Sequence, residues 1–164
     1  FWVDKYPEMV KAIDDAGIEI GTHSNTHPDM AKLDKATITS ELTTSMDKIK
    51  SITGKDVKVF RPPYGSYSNT LINVCEQLEL YPIQWDVDTL DWKGLSASAV
   101  CDRVMKNVQN GSIVLMHNNA DNVVDSLRLC LDWLKMKGYR VTSVGELIYT
   151  DGYNIDSNGV QHKN

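Results

Sequence analysis

The feature that most constrains this chain is an alternation of helical stretches with short apolar runs. In PEMVKAIDDA, Pro7 to Ala16, apolar residues fall at Met9, Val10, Ile13 and Ala16, with Pro at the start and Gly17 as the stop. That spacing predicts a helix. Ile18 to Gly21 then reads as a short strand. Thr37 opens a second helix, with Ile38, Leu42, Met46, Ile49 and Ile52 on one side and Gly54 after it. Val57 to Phe60 reads as a strand, and Ser68 caps a helix carrying Leu71, Val74, Cys75 and Leu78. The same reading gives a strand over Pro82–Val87, a helix over Ser96–Val108, a buried strand over Ser112–Met116, a helix over Asp121–Lys137, a strand over Tyr139–Thr142 and a helical turn over Val144–Ile148. Five strands separated by helices indicate parallel βαβ units. They fit a doubly wound sheet, or most of a barrel without its first one or two strands. Residues 1–149 read as one domain, and 150–164 as a polar C-terminal tail, frayed or loosely docked.

Composition narrows the class. With 164 residues, 41% of them apolar, the chain can bury a substantial core. A net charge of -5 disfavours a nucleic-acid binder and suits an uncharged or cationic polymer better. No run of about 18 apolar residues is present to span a membrane. Cys75, Cys101 and Cys130 form no CxxC pair, and each sits in a helical pattern as a buried apolar side chain.

The functional signal lies at the C-terminal ends of the strands. The first strand leads into His23-Ser24-Asn25-Thr26-His27, and the second into Arg61-Pro62-Pro63-Tyr64-Gly65. The third ends in Asp88-Thr89-Leu90-Asp91-Trp92, and the fourth in His117-Asn118-Asn119. In parallel α/β folds that edge is where ligands and catalysis sit. Two imidazoles four residues apart can share a cation such as Zn²⁺, although three protein ligands are usual at a catalytic site. The two prolines stiffen their turn, Arg61 presents a planar fork for a carboxylate, and the Tyr64 N–H can face a developing oxyanion. An Asp hydrogen-bonded to His117 would orient it as a general acid. Each segment also has a plain reading: a surface histidine pair, a Pro-Gly turn, a capping Asp and a structural His.

Together the four segments resemble the polysaccharide deacetylase family, the NodB-homology domain of carbohydrate esterase family 4. His23 to His27 resembles that family's H-[ST]-x-x-H motif, Arg61 to Gly65 its R-x-P-[YF]-G motif, Asp88 to Trp92 its D-x-x-D-W segment, and Leu115-Met116-His117 its L-x-H motif. The resemblance covers about residues 1–148. It implies a distorted (β/α) barrel, here lacking its first strand or strands, and metal-dependent removal of N-acetyl groups from a glycan outside the cytoplasmic membrane. By the same resemblance His23 and His27 bind a divalent metal, usually zinc, with cobalt and manganese as alternatives. As the resemblance implies, that metal would polarise the acetamide carbonyl and activate a water. Tyr64 holds the oxyanion, and His117 protonates the leaving amine, oriented by Asp91. Trp92 and Leu115 would wall the acetyl pocket, Pro63 would join them in binding substrate, and Arg61 would hold the base aspartate.

That base belongs to an Asp-Asp pair which, in the family, precedes the helix that opens this chain; its place would lie ahead of Phe1. The pair that is present, Asp14-Asp15, falls within the first helix, on the side away from Met9, Ile13 and Ala16. It reads as a solvated helix face. The chain is therefore expected to be an N-terminally shortened deacetylase domain, with Phe1-Trp2-Val3 left from the segment after a second strand, and inactive by itself. A non-catalytic carbohydrate-binding module on the same fold is the alternative. A structural α/β domain whose histidines merely pack is the third. Within the family, the segment Trp85 to Trp92 looks most like enzymes acting on N-acetylglucosamine of peptidoglycan, with chitin oligomers and acetylated xylan next.

Overall fold

The structure, a computed structural model, describes residues 2–164, so Phe1 lies outside the described residues. The chain forms two compact units. The first runs to Gln84 and takes in Ser143–Asn164; the second is Trp85–Thr142.

In the first unit, α1 (Trp2–Lys5) and α2 (Pro7–Asp15) lead to α3 (Lys35–Thr53). Helix α3 starts two residues earlier than the apolar pattern indicates, because Asp34 caps it by accepting a hydrogen bond from the Thr37 N–H (2.8 Å). It stops at Gly54, whose φ of 72° is readily available only to glycine. Its buried stripe is Ile38, Leu42, Ser45 and Ile49, an i, i+4, i+7, i+11 series. Its apolar members Ile38, Leu42 and Ile49 pack with Met30, Phe60, Leu71, Val74 and Cys75 in one apolar core. Strand β1 (Val59–Phe60) pairs in parallel with β2 (Tyr81–Pro82). Between them, α4 (Asn69–Gln77) begins at the expected cap, Ser68. The strand expected over 18–21 shrinks to one parallel bridge, Thr22 on Phe60. Here the Thr22 N–H donates to Val59 O, and the Arg61 N–H to Thr22 O. A side chain at Gly21 would put its Cβ 2.8 Å from Val59 O, so the close approach of these two backbones needs glycine at that point.

In the second unit, β3 (Val87–Asp88) pairs in parallel with β4 (Val114–Leu115), and α5 (Ala97–Asn107) and α6 (Val123–Met136) supply the helices. Val87, Cys101, Val104, Cys130 and Leu134 form its core. The strand expected over Pro82–Val87 is thus two short strands with different partners. The strand expected over Tyr139–Thr142 has no ladder among the described residues. Tyr139 instead donates its N–H to Leu134 O, closing α6, and stacks on Trp133 with ring centroids 6.4 Å apart. All three cysteines are buried and unpaired, as expected. Burial pushes the Cys75 thiol up to about 12, which leaves it inert as a nucleophile at neutral pH.

Of the two expectations for the tail, frayed or loosely docked, the structure departs from the first. After α7 (Val144–Leu147), β5 (Tyr153–Ile155) and β6 (Gln161–Lys163) form an antiparallel hairpin. One side chain organises its turn: Asp156 accepts from the N–H groups of Asn158 (2.8 Å) and Val160 (3.0 Å), and its other oxygen meets His162 Nε2 at 3.0 Å. Those bonds, the one from His162 first, hold the Asp156 carboxyl below the usual carboxylate range. The contribution of a carboxyl so depressed is complete above its unfolded pKa of about 4 and is lost as pH falls through the folded value. Protection of the Asn158 and Val160 amides, relative to their intrinsic exchange at each pH, is expected to fall over that acid range ahead of that of the α3 amides. Equal acid sensitivity of the two sets would contradict this role for Asp156.

Candidate active site

The first unit gathers five of the residues singled out in the sequence. His23 follows the Thr22 bridge directly, so the parallel pairing with Phe60 sets it beside Arg61. Its Nδ1 lies 2.6 Å from Arg61 O. A carbonyl oxygen can only accept, so Nδ1 carries the hydrogen and the ring's lone pair is on Nε2. A metal-binding histidine is usually oriented in this way, by a bond from its other nitrogen. The His23 and His27 rings meet edge to face with centroids 4.8 Å apart, and the His27 and Tyr64 rings do the same at 4.8 Å. Both histidines and Tyr64 are exposed, while Pro62 and Pro63 are buried and anchor the turn. Arg61 is half-buried, and burial draws its pKa down from the ordinary value; a guanidinium nonetheless stays charged near neutrality.

The second unit gathers four more. Asp91 is 4% exposed, just past β3. One of its oxygens accepts from the His117 backbone N–H at 2.6 Å. The other lies 2.8 Å from His117 Nδ1 and 3.0 Å from the Trp92 N–H, which it accepts. The pairing of β3 with β4 places these residues together although 26 positions separate them. Leu115 is buried, and its carbonyl accepts from the Thr89 hydroxyl at 2.7 Å. Trp92 is 58% exposed, at the rim of a small open hollow that also includes Asp91, Gly94 and Asn119.

Backbone strain marks the same segments. Among the described residues, five non-glycines have positive φ: Ser24 (70°), His27 (61°), Tyr64 (60°), Glu79 (54°) and Leu90 (53°). All but Glu79 lie in the segments just past strands. Each such residue costs about 1–3 kcal/mol, and strain of this kind clusters at active sites and ligand clamps.

Two residues that sequence patterns do not single out hold these loops. Glu41 on α3 takes three hydrogen bonds from Asn25 and Thr26. The Gln84 amide donates to Gly65 O at 2.7 Å and so pins the Arg61–Gly65 turn. A glutamate in a helix looks like ordinary surface charge, and neither partner is near in sequence.

Comparison with known proteins bears on what the two clusters are. The family model for polysaccharide deacetylases matches residues 1–83. A family 4 carbohydrate esterase from Streptomyces lividans, solved with acetate, is 34% identical with a TM-score of 0.81, covering 85% of this chain and 72% of that one. The chain belongs to the polysaccharide deacetylase family. Its α/β fold is of the NodB-homology type, as the motifs implied. A family 4 pseudoenzyme from Bacillus anthracis, 34% identical with a TM-score of 0.85, covers 89% of this chain and 52% of its own. The peptidoglycan-N-acetylglucosamine deacetylase of Bacillus cereus is 30% identical over 151 residues, 90% of this chain and 55% of that protein. The chain spans about half the length of the curated relatives it matches.

The histidine pair could hold a divalent metal, and its donors fit one. There are two imidazoles side by side, and at least one has its lone pair fixed on Nε2 by a backbone carbonyl. No third carboxylate, histidine or cysteine stands with them among the described residues. Asp14 and Asp15 belong to α2. They are engaged there by Lys55 (2.6 Å from Asp14) and by Lys11.

Proposed function

We propose that this chain is the larger part of a metal-dependent N-deacetylase domain acting on a cell-wall glycan outside the cytoplasmic membrane. N-acetylglucosamine of peptidoglycan is the preferred substrate and a chitin-like oligomer the next. The observation that carries the reading is the Asp91–His117 pair, a buried carboxylate fixed to Nδ1 of a partly exposed imidazole. A carboxylate on Nδ1 leaves Nε2 as the nitrogen that exchanges a proton with substrate. In amide hydrolysis that proton goes from Nε2 to the departing amine nitrogen as the C–N bond breaks. His23 and His27 would hold the divalent ion, zinc before cobalt or manganese, which supplies Lewis-acid polarisation of the acetamide carbonyl. The Tyr64 N–H donates to the carbonyl oxygen as it gains charge. Arg61 orients the carboxylate that serves as base, Pro63 stiffens the turn that carries Tyr64, and Trp92 and Leu115 exclude water around the acetyl methyl.

In this reading the base is one Asp of an adjacent pair, and the pair present here, Asp14-Asp15, is ion-paired on a helix and does not take that part. Alone, the chain should release acetate orders of magnitude more slowly than a form that has the base. The likeness to a pseudoenzyme favours a second reading, a glycan-binding domain without turnover. The test is acetate release by the longest natural form of the protein from peptidoglycan fragments, chitin oligomers and acetylated xylan. Fastest release from peptidoglycan fragments is expected. Retention of glycan with no acetate from any of the three would establish the second reading instead.

A further inference from the structure

We infer that Glu41 is a positioning residue for the histidine pair, setting the loop that carries His23 and His27 in its metal-binding form. The inference rests on the metal reading of that pair. The Glu41 carboxylate takes three hydrogen bonds from this loop. Oε2 accepts from the N–H groups of Asn25 (2.9 Å) and Thr26 (2.8 Å), and Oε1 accepts from the Thr26 hydroxyl (2.7 Å).

The loop needs such an anchor because it is strained at both ends of the Ser24–His27 turn. Ser24 and His27 each have a left-handed φ, at 70° and 61°. Neither residue is favoured there, so surrounding contacts must hold the conformation. The Ser24 hydroxyl contributes by accepting from the His27 N–H (2.9 Å), and Lys48 by donating to Asn25 Oδ1 (3.0 Å). Both act at the margins. Glu41 alone gathers the two central amides, and it does so from α3, the longest helix and the one that fills the core of its unit. Helix, carboxylate, loop amides and imidazoles form one chain of contacts. Charge-assisted bonds to backbone N–H are about twice as strong as neutral ones. Without them the left-handed residues can relax and the two rings part.

The test is zinc titration of this chain, followed through the imidazole C–H resonances of His23 and His27, with His23→Ala as the control for other sites. Glu41→Ala is expected to weaken zinc binding about 10-fold or more, as loss of an outer contact at a metal site typically does, while circular dichroism shows α3 intact. Glu41→Gln should recover most of that loss. Its amide oxygen can still accept both backbone N–H groups, and the Thr26 hydroxyl can turn to accept from its NH₂. A purely structural role would lower the melting temperature without this pattern of loss and rescue. If Glu41→Ala does not fold, Thr26→Val removes one of the three bonds and should weaken zinc about threefold, a share of the same effect. Unchanged affinity in Glu41→Ala, or in Thr26→Val if that variant carries the test, overturns the assignment. Zinc binding by the parent chain that is no tighter than in His23→Ala sinks the metal reading of the pair itself.

Discussion

In the natural form that releases acetate, replacing His117 by alanine lowers kcat by about 10²–10⁴-fold, the range that a positioned general acid supplies. KM should change little, because the imidazole acts on the departing amine rather than on the bulk of the glycan. Asp91→Asn should act through the same ring. Asp91 accepts from the His117 backbone N–H, from the His117 Nδ1–H and from the Trp92 N–H, and it is almost wholly buried. An asparagine must turn its NH₂ toward one of these donors. Facing Nδ1, it forces the other tautomer and gives the ring the wrong proton arrangement for its task, a loss known to be large where a carboxylate orients a catalytic histidine. Nitrogen-15 NMR of the His117 ring reads the tautomer directly and separates this effect from unfolding. A kcat within a few-fold of the parent in both variants would remove His117 from the chemistry.

The second large effect is on stability. Phe60→Ala should cost the first unit about 3–5 kcal/mol, the usual loss for a buried aromatic. Phe60 is 1% exposed and packs with the α3 stripe, and its backbone carries the Thr22 bridge and the pairing with β2. A domain has only about 5–15 kcal/mol in hand, so this one change should move the urea midpoint far down. Since Arg61 and the His23 contact come immediately after it, weaker zinc binding should accompany the loss. A loss below about 1 kcal/mol, the scale of an ordinary surface change, would mean that β1 is not the spine of this unit.

The sequence reveals helices and site residues here more fully than strands. Ser68 and Ser96 cap helices where the pattern places them, because a cap is a bond between neighbours. Strands depend on partners far along the chain. That is why the stretch at 18–21 reduces to one bridge at Thr22, why 139–142 remains outside any described ladder, and why the 82–87 stretch divides. The tail hairpin escapes a reading based on polarity, because Asp156 builds its turn from side-chain bonds rather than apolar burial. Asp91 and His117 are legible as partners, since each lies just past a strand and the strands pair in parallel. Glu41 and Gln84 are not, nor are the left-handed backbones of Ser24, His27, Tyr64 and Leu90, which no residue type announces. These are features of the built site, where local preference gives way to function.

The most direct test is acetate release from an N-acetylglucosamine oligomer by the longest natural form of the protein, stripped of metal by a chelator and then restored with zinc. The expected result is release that vanishes with the metal, returns with it, and is absent from His23→Ala and His117→Ala under both conditions. Release that is indifferent to metal and to both histidines would contradict the account, as would a folded, zinc-loaded protein that frees no acetate.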